Sequence, residues 1–439
     1  VSDRWPHQVE ALEFLRSHSA ALLHLDMGTG KTRIAADLLR DPGTLPALVV
    51  TRSKAITDGI WERECEGADI QPLRGKLTER AELIKGHDIV LTNYEAVWQK
   101  PIAAAILRIP WRTVIADESH HIKAAGSKVS MFFRALSPAR HRIALTGTPL
   151  GQTPLDVYGQ FRFLDRRIFG NNFRYFRARY AIMGGYEDRV FQRMNPATEA
   201  DFLRRFRSIT YHAEPDLGVP DGLDIPMTHS LPPAAARIYR ELEDEFWAEV
   251  EGGEVTIANG GVKVLRLQQL ASGHLRTDDG VVRTIHTERA DMFCDWLEDV
   301  DSAEPVVVFA RFTHDLSEVR RVCAKLGRTY SEVSGRADDL VEWKGGATQV
   351  LGVQIQAGGE AINLTRAALC VYYSIGHSLL DYLQSRKRLI RPGQTQTVRI
   401  YHLSARGTVD TDIYRALRNR DQVIQSLLAR RSAAQPILI

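Results

Sequence analysis

The segment that most constrains the fold is Leu25-Asp26-Met27-Gly28-Thr29-Gly30-Lys31-Thr32. It lies between a strand-length apolar run, Ala20–Leu25, and a helical pattern from Arg33 to Leu39. A turn in this setting suits phosphate. Glycines let backbone amides turn inward around phosphate oxygens, and the helix N-terminus adds its positive end. Met27, Gly28, Thr29, Gly30, Lys31 and Thr32 are therefore expected to hold the phosphates of ATP. Lys31 would reach the β and γ phosphates, and the Thr32 hydroxyl would hold Mg2+. The strict spacing has a glycine where this chain has Leu25, so the strand–loop–helix context carries the assignment.

Such a loop demands a parallel sheet, and the chain supplies two sets of strand-length runs. Ala20–Leu25, Ala47–Val50, Asp88–Leu91, Thr113–Ala116 and Arg142–Leu145 form the first. Val306–Phe309, Thr348–Val353, Leu369–Tyr373 and Val398–Tyr401 form the second. Between them the strand rhythm stops, and arginine- and aromatic-rich helical patterns such as Arg166–Tyr180 and Ala234–Val250 take over. The expected fold class is α/β: two lobes with parallel sheets, a helical insert between them and a C-terminal helix. The expected domains are an N-terminal ATP-binding lobe over 1–164, a helical protrusion and linker over 165–284, a second lobe over 285–405, and the brace helix with its tail over 406–439.

Further motifs gain meaning from the phosphate loop. Val114-Ile115-Ala116-Asp117-Glu118-Ser119-His120 ends a strand in two carboxylates, at the edge where such sheets bind ligands. Asp117 would complete the Mg2+ shell and Glu118 would activate the attacking water. Without Lys31 nearby, an ordinary acidic loop would be the better reading. Leu145-Thr146-Gly147-Thr148-Pro149 follows another strand, and its hydroxyls and tight turn suit coupling. In Gln384–Gln394, Arg388 and Arg391 stand three apart, which on a helix places both guanidiniums on one face as arginine fingers. Gln356–Leu364 carries Gly358 and Gly359, which permit close backbone approach. Gln8, one helix before the loop, could read an adenine edge as donor and acceptor together.

Read in order, these blocks resemble helicase superfamily 2, and within it the SWI/SNF-type DNA translocases. Gln8 resembles the adenine-reading motif, and Met27–Thr32 motif I. Leu48–Glu64, with Trp61 and Glu64, resembles motif Ia and its downstream Trp-x-x-Glu, and Val90–Glu95 the segment that follows. Asp117–His120 with Lys123 is similar to motif II, Leu145–Pro149 to motif III, and Val307–Phe312 to motif IV. Gly358–Leu364 is similar to motif V, Gln384–Gln394 to motif VI, and Gly407–Asp410 with Ile413 to the closing signature. Four departures stand out: Gln152 replaces a common asparagine, Thr51–Arg52 the usual proline of motif Ia, and Ala361 a common motif V glycine, while the second lobe's insert is short.

The resemblance implies two RecA-like lobes with a C-terminal brace helix, in an ATP- and Mg2+-dependent ATPase that moves on double-stranded DNA through sequence-independent backbone contacts. His120, Thr146, Thr148, Gly358, Gly359, Asn363 and Gln384 would couple hydrolysis to DNA. The Arg162–Tyr180 segment would offer phosphate contacts. A strand-separating DNA or RNA helicase, or the motor subunit of a restriction or defence complex, are the alternatives. The length leaves no room for accessory domains, which points to a minimal bacterial or phage form, expected to be a monomer.

Bulk composition agrees but decides little. A chain of 439 residues, 44% hydrophobic and 25% charged, is globular and multidomain. Its net charge of +3 is too mild to prove a nucleic-acid partner. Four scattered cysteines support neither zinc nor disulfides, no apolar run spans a membrane, and no leader opens the chain. A bacterial or phage-infected cytoplasm is the expected location.

Overall fold

The computed structural model describes residues 4–26, 28–151, 153–184, 190–213, 218–251, 257–277, 280–356 and 362–429. The chain divides into two compact units, the first built on Val1–Asp216 and the second on Leu217–Gln422. Each carries one parallel sheet.

In the first unit the strands are β1 (Ala20–Leu25), β2 (Ala47–Thr51), β3 (Ile70–Pro72), β4 (Ile89–Asn93), β5 (Thr113–Asp117) and β6 (His141–Thr146). A hairpin, β7 (Ala181–Gly184) with β8 (Val190–Met194), and β9 (Thr210–Ala213) follow. The main sheet runs β3-β4-β2-β5-β6-β1-β9, with every pairing parallel. β1, β2 and β5 are buried along their whole length, because helices cover both faces of a parallel sheet. Register sets Asp117 beside Leu145 and Leu145 beside Leu23, so β5, β6 and β1 end together. At about 4.8 Å per strand, the ends of β5 and β1 stand about 10 Å apart.

In the second unit, β10 (Leu223–His229), β11 (His274–Arg276), β12 (Val282–Thr284), β13 (Val306–Ala310), β14 (Tyr330–Val333), β15 (Val350–Gln354), β16 (Leu369–Tyr372) and β17 (Arg399–Ala405) follow. Its main sheet runs β10-β17-β16-β13-β15-β14, again all parallel. Val306, Val308, Val350 and Val371 lie at the centre of its core with Phe293 and Leu297.

The interval 165–284 is less purely helical than its composition suggests. It supplies an edge strand to each main sheet, β9 and β10, and both small hairpins. Helix Pro233–Glu251 is continuous, but the Arg166–Tyr180 pattern breaks into Arg166–Phe169 and Phe173–Tyr180. Gly170 takes φ +78° there, and Asn172 caps the second helix by accepting from Tyr175 N. Helix Val409–Ala429 forms as expected.

Candidate nucleotide site in the first unit

The phosphate loop is built by its glycines. Gly28 and Gly30 take φ of +81° and +85°, the left-handed region that side chains resist. Gly30 then caps helix Lys31–Leu39, whose first internal bond runs from Ile34 N to Gly30 O. The amides of Lys31, Thr32 and Arg33 precede that bond and suit an anion. Lys31 is buried, and its Nζ donates to Leu25 O at 2.8 Å and Asp26 O at 3.0 Å. The ammonium is thus held inside the loop. Gly147 packs over it: a Cβ there would stand 3.4 Å from Leu25 O and 3.9 Å from Lys31 Nζ. Motif III therefore closes on motif I by backbone contact. Thr29 is fully buried, Thr32 is half-buried on the helix, and Met27 lies outside the described residues.

Gln8 is buried and occupied. Its Nε2 donates to Thr29 O at 3.1 Å, and its Oε1 accepts from Trp5 N at 3.2 Å. The His7 ring nitrogen Nε2 also pairs with Thr29 O, at 2.9 Å. The first helix thus clamps the loop through one carbonyl.

Asp117 ends β5, and its Oδ2 accepts from Thr51 Oγ1 at 2.9 Å and Trp61 Nε1 at 3.0 Å. Burial first, then the neighbouring Glu118, pushes its carboxyl up to about 6 despite both donors. Glu118 follows with φ +56°, the one positive value off glycine among the described residues. Such a backbone costs of order 1–3 kcal/mol and persists where surroundings impose it, often at functional sites. It turns Glu118 out of the strand, with Oε2 3.5 Å from His120 Nδ1. Tyr94 OH donates to Asp117 O at 2.7 Å and its ring stacks on His121.

A hydrogen-bonded bridge joins motif II to motif III. Ser119 Oγ donates to Gln160 Oε1 at 2.7 Å, and Gln160 Nε2 donates to Pro149 O at 2.7 Å. Helix Val157–Leu164 carries Gln160 and can come this close because Gly159 lacks a Cβ, which would sit 2.0 Å from Ile122 O. Thr146 Oγ1 accepts from Thr148 N at 3.1 Å, which fixes the motif III turn. Gln160 was not among the residues expected from sequence, and Thr51 and Tyr94 were seen only inside motif segments, with no part in holding Asp117. Trp61 was seen only as part of a motif, not as a donor to Asp117.

The second unit holds the remaining candidates. Arg388 and Arg391 do not lie on a helix, contrary to expectation. Helix Leu379–Arg386 stops before them, and they occupy the turns that follow. Pro392 disfavours a helical Arg391, and Gly393 takes φ +100°. Arg388 is buried, its Cζ lies 6.0 Å from the Phe309 ring centroid, and its carbonyl accepts from Leu364 N. Burial lowers the pKa of Arg391. Gln384 is buried on the helix, whereas Asn363 is exposed and accepts from Thr365 N. Gly358 and Gly359 lie outside the described residues, as do Ala361 and Gln152.

The fit to a nucleoside triphosphate rests on the first unit. An ammonium already gathered by loop carbonyls, the helix-start amides and a strand-end acid pair converge on β5, β6 and β1. That is the arrangement of a helicase- or translocase-type ATPase. Residues 7–217 match the SNF2-related domain. It is 24% identical to protein p41 of Acyrthosiphon pisum secondary endosymbiont phage 1, over 96% of this chain and 97% of that protein. It is 21% identical to an uncharacterized ATP-dependent helicase of Mycoplasma pneumoniae, over 96% of this chain and 42% of that one. It is 22% identical to the ISWI chromatin-remodeling complex ATPase ISW1 of Saccharomyces cerevisiae, over 93% of this chain and 39% of that one. It thus spans nearly all of the phage protein but about two-fifths of the other two. The Sulfolobus solfataricus SWI2/SNF2 ATPase core in complex with dsDNA covers 98% of this chain at 19% identity, with 94% of that chain matched and a TM-score of 0.46. Among the described residues no helix is long and apolar enough to cross a membrane, and all four cysteines are free and buried.

Proposed function

We propose that this chain couples ATP hydrolysis to movement along double-stranded DNA. The observation that carries the ATPase part is the convergence of Lys31, Asp117 and Glu118 at three adjacent strand ends, with Gly147 against the loop. Lys31 and the amides of Gly28–Thr32 bind and orient the phosphates. Thr32 and Asp117 are the residues that would hold Mg2+, which when bound offsets phosphate charge. Thr51 and Trp61 fix the Asp117 carboxylate for that task. Glu118 orients water and accepts its proton, with His120 beside it. Arg388 and Arg391 are the guanidiniums that the second unit would contribute toward charge on the γ-phosphate.

Ser119, Gln160 and Pro149 make a fixed link between the acid pair and motif III, so a change at the phosphates moves Thr146–Thr148. Double-stranded DNA as the track is supported by the order of the motifs, which resembles that of SWI/SNF-type DNA translocases. Contacts to phosphates rather than bases would make tracking independent of sequence and sensitive to salt. His120, Thr146, Thr148, Gly358, Gly359, Asn363 and Gln384 are the coupling candidates.

The test is ATPase activity with double-stranded DNA, single-stranded DNA or RNA as stimulant, beside triplex displacement and strand-unwinding assays. Stimulation by duplex DNA with triplex displacement is expected. Stimulation by RNA alone, or unwinding of a plain duplex without triplex displacement, refutes the track assignment.

A further inference from the structure

Arg142 is the second residue of β6, at the end of the strand opposite Thr146. Its guanidinium donates to Leu164 O at 2.6 Å and Ser137 O at 3.2 Å, tying together the ends of helices Lys128–Ala135 and Val157–Leu164. Between these helices opens a cavity of about 670 Å³, walled by Met131, Arg134, Arg162 and Arg166. A second cavity of about 460 Å³ adjoins it through Ser137 and Arg166, and adds Arg142, Asp165 and Arg167. At roughly 3.3 Å per residue of β6, this trough lies some 15–20 Å from the nucleotide edge.

Its charge is unbalanced. Arg167 is paired with Asp165 at 2.7 Å, and Arg142 is engaged with backbone carbonyls. Among the described residues Arg134, Arg162 and Arg166 meet no carboxylate, and Arg162 Nε is buried without a hydrogen-bond acceptor. Cations near helix C-termini complement the macrodipole, but each end is worth only about half a charge. Three guanidiniums over two helix ends leave an excess of roughly two positive charges, which suits an anion.

Arg162 and Arg166 fall in the Arg162–Tyr180 segment expected to meet DNA phosphates, but the trough sets an exposed apolar side chain among the guanidiniums, which a phosphate backbone does not use. Single-stranded nucleic acid binds by stacking on exposed rings, and the trough's aromatic lining residue, Phe163, is 1% exposed. Met131, by contrast, is 51% exposed and offers an adaptable apolar contact. Arginine forks match carboxylates bidentately. We propose that this trough docks an acidic segment of a partner protein, with carboxylates on Arg134, Arg162 and Arg166 and an apolar side chain on Met131.

The test is fluorescence anisotropy of the full chain with a labelled short peptide that alternates Asp or Glu with Leu, beside its Asn/Gln counterpart. Binding of the acidic peptide alone is expected, weakened at least tenfold by Arg134→Glu with Arg166→Glu, and severalfold by Met131→Ala. Melting temperature and nucleotide binding of each variant report that the chain still folds, and Arg134→Gln with Arg166→Gln serves if the reversal does not. Equal binding of the neutral peptide, or an acidic peptide indifferent to the arginines, overturns the proposal. So does duplex DNA that needs the same arginines and displaces the peptide, or self-association that the reversal abolishes, since each assigns the trough another occupant.

Discussion

Asp117 ends β5 in the first unit, and Asp315 lies in the first turn of helix Thr313–Lys325, just after β13 in the second. Burial pushes both carboxyls up to about 6. Their surroundings differ. Asp315 accepts from Ser272 and Ser374, and beside it Arg289, itself 1% exposed, is paired with Asp410 and donates to Ala271 O and Tyr373 O. That carboxyl is enclosed in a network tying the start of the C-terminal helix to the second core. Asp117 has two donors on one oxygen and a strained Glu118 next in sequence. A shifted acid alone therefore does not mark a reactive one; converging phosphate-binding groups do.

The largest effect expected is on turnover. Asp117→Asn, Lys31→Ala and Glu118→Gln should each lower ATP hydrolysis by about 10²–10⁴-fold, with Glu118→Gln still binding ATP. Asp315→Asn should leave turnover within a few fold of the parent once both are folded. A steady-state ATPase assay decides, and comparable losses at both aspartates would erase the distinction.

Next comes stability. Asp410→Ala leaves Arg289 buried without its carboxylate partner, and removing one member of a buried pair costs about 3–5 kcal/mol. Denaturant unfolding should show that loss. A variant unfolding like the parent would mean that the pair braces nothing.

How much of this was readable from sequence follows from what each feature needs. Strand runs are local and apolar, so the strands flanking Lys31, Asp117 and Thr146 were legible within a residue or two. The edge strands β9 and β10 were not: β10 alternates exposed and half-buried residues, includes Pro226, and gains strand character only by pairing with β17. The loop lysine and acid pair are spelled by short motifs. Gln160 sits among helix residues with no motif, and its role exists only because Gly159 lets the helix approach Ile122. The helical placement of Arg388 and Arg391 failed because the spacing rule ignored Pro392 and Gly393.

Acid should separate the two units. Burial lowers His229 and His274 to about 3, so they stay neutral in the fold while the unfolded chain protonates near 6.5. Unfolding then takes up protons between about pH 6.5 and 3, and their contribution to stability falls as pH drops. Asp315, raised to about 6, works oppositely: the folded state gains its proton as pH falls from 6 toward 3.8. Two histidines with the larger shifts outweigh one aspartate, so stability should fall between pH 7 and 5. In the first unit Asp117 has the same sign as Asp315, and His141, lowered by burial, opposes it. Hydrogen exchange at the two pH values should show β13–β17 loosening before β1, β5 and β6. The reverse order would contradict the assignment.

The smallest effect draws the finest line between the aspartates. Thr51→Val keeps the shape of the side chain but removes the 2.9 Å hydrogen bond to Asp117 Oδ2, leaving Trp61 as the remaining donor. Ser272→Ala removes the 2.8 Å bond to Asp315 and leaves Ser374; it also removes a 3.3 Å bond from Arg289, whose guanidinium keeps Tyr373 O, Ala271 O and Asp410. Each loss is worth about 1 kcal/mol, so both variants should unfold slightly earlier and by similar amounts. Under the proposed function, only at Asp117 does the orientation of the carboxylate bear on the reaction. Thr51→Val should therefore also slow ATP turnover about fivefold, while Ser272→Ala leaves turnover alone. Equal turnover in the two variants, at equal loss of stability, would mean that Thr51 merely satisfies a buried acid, as Ser272 does.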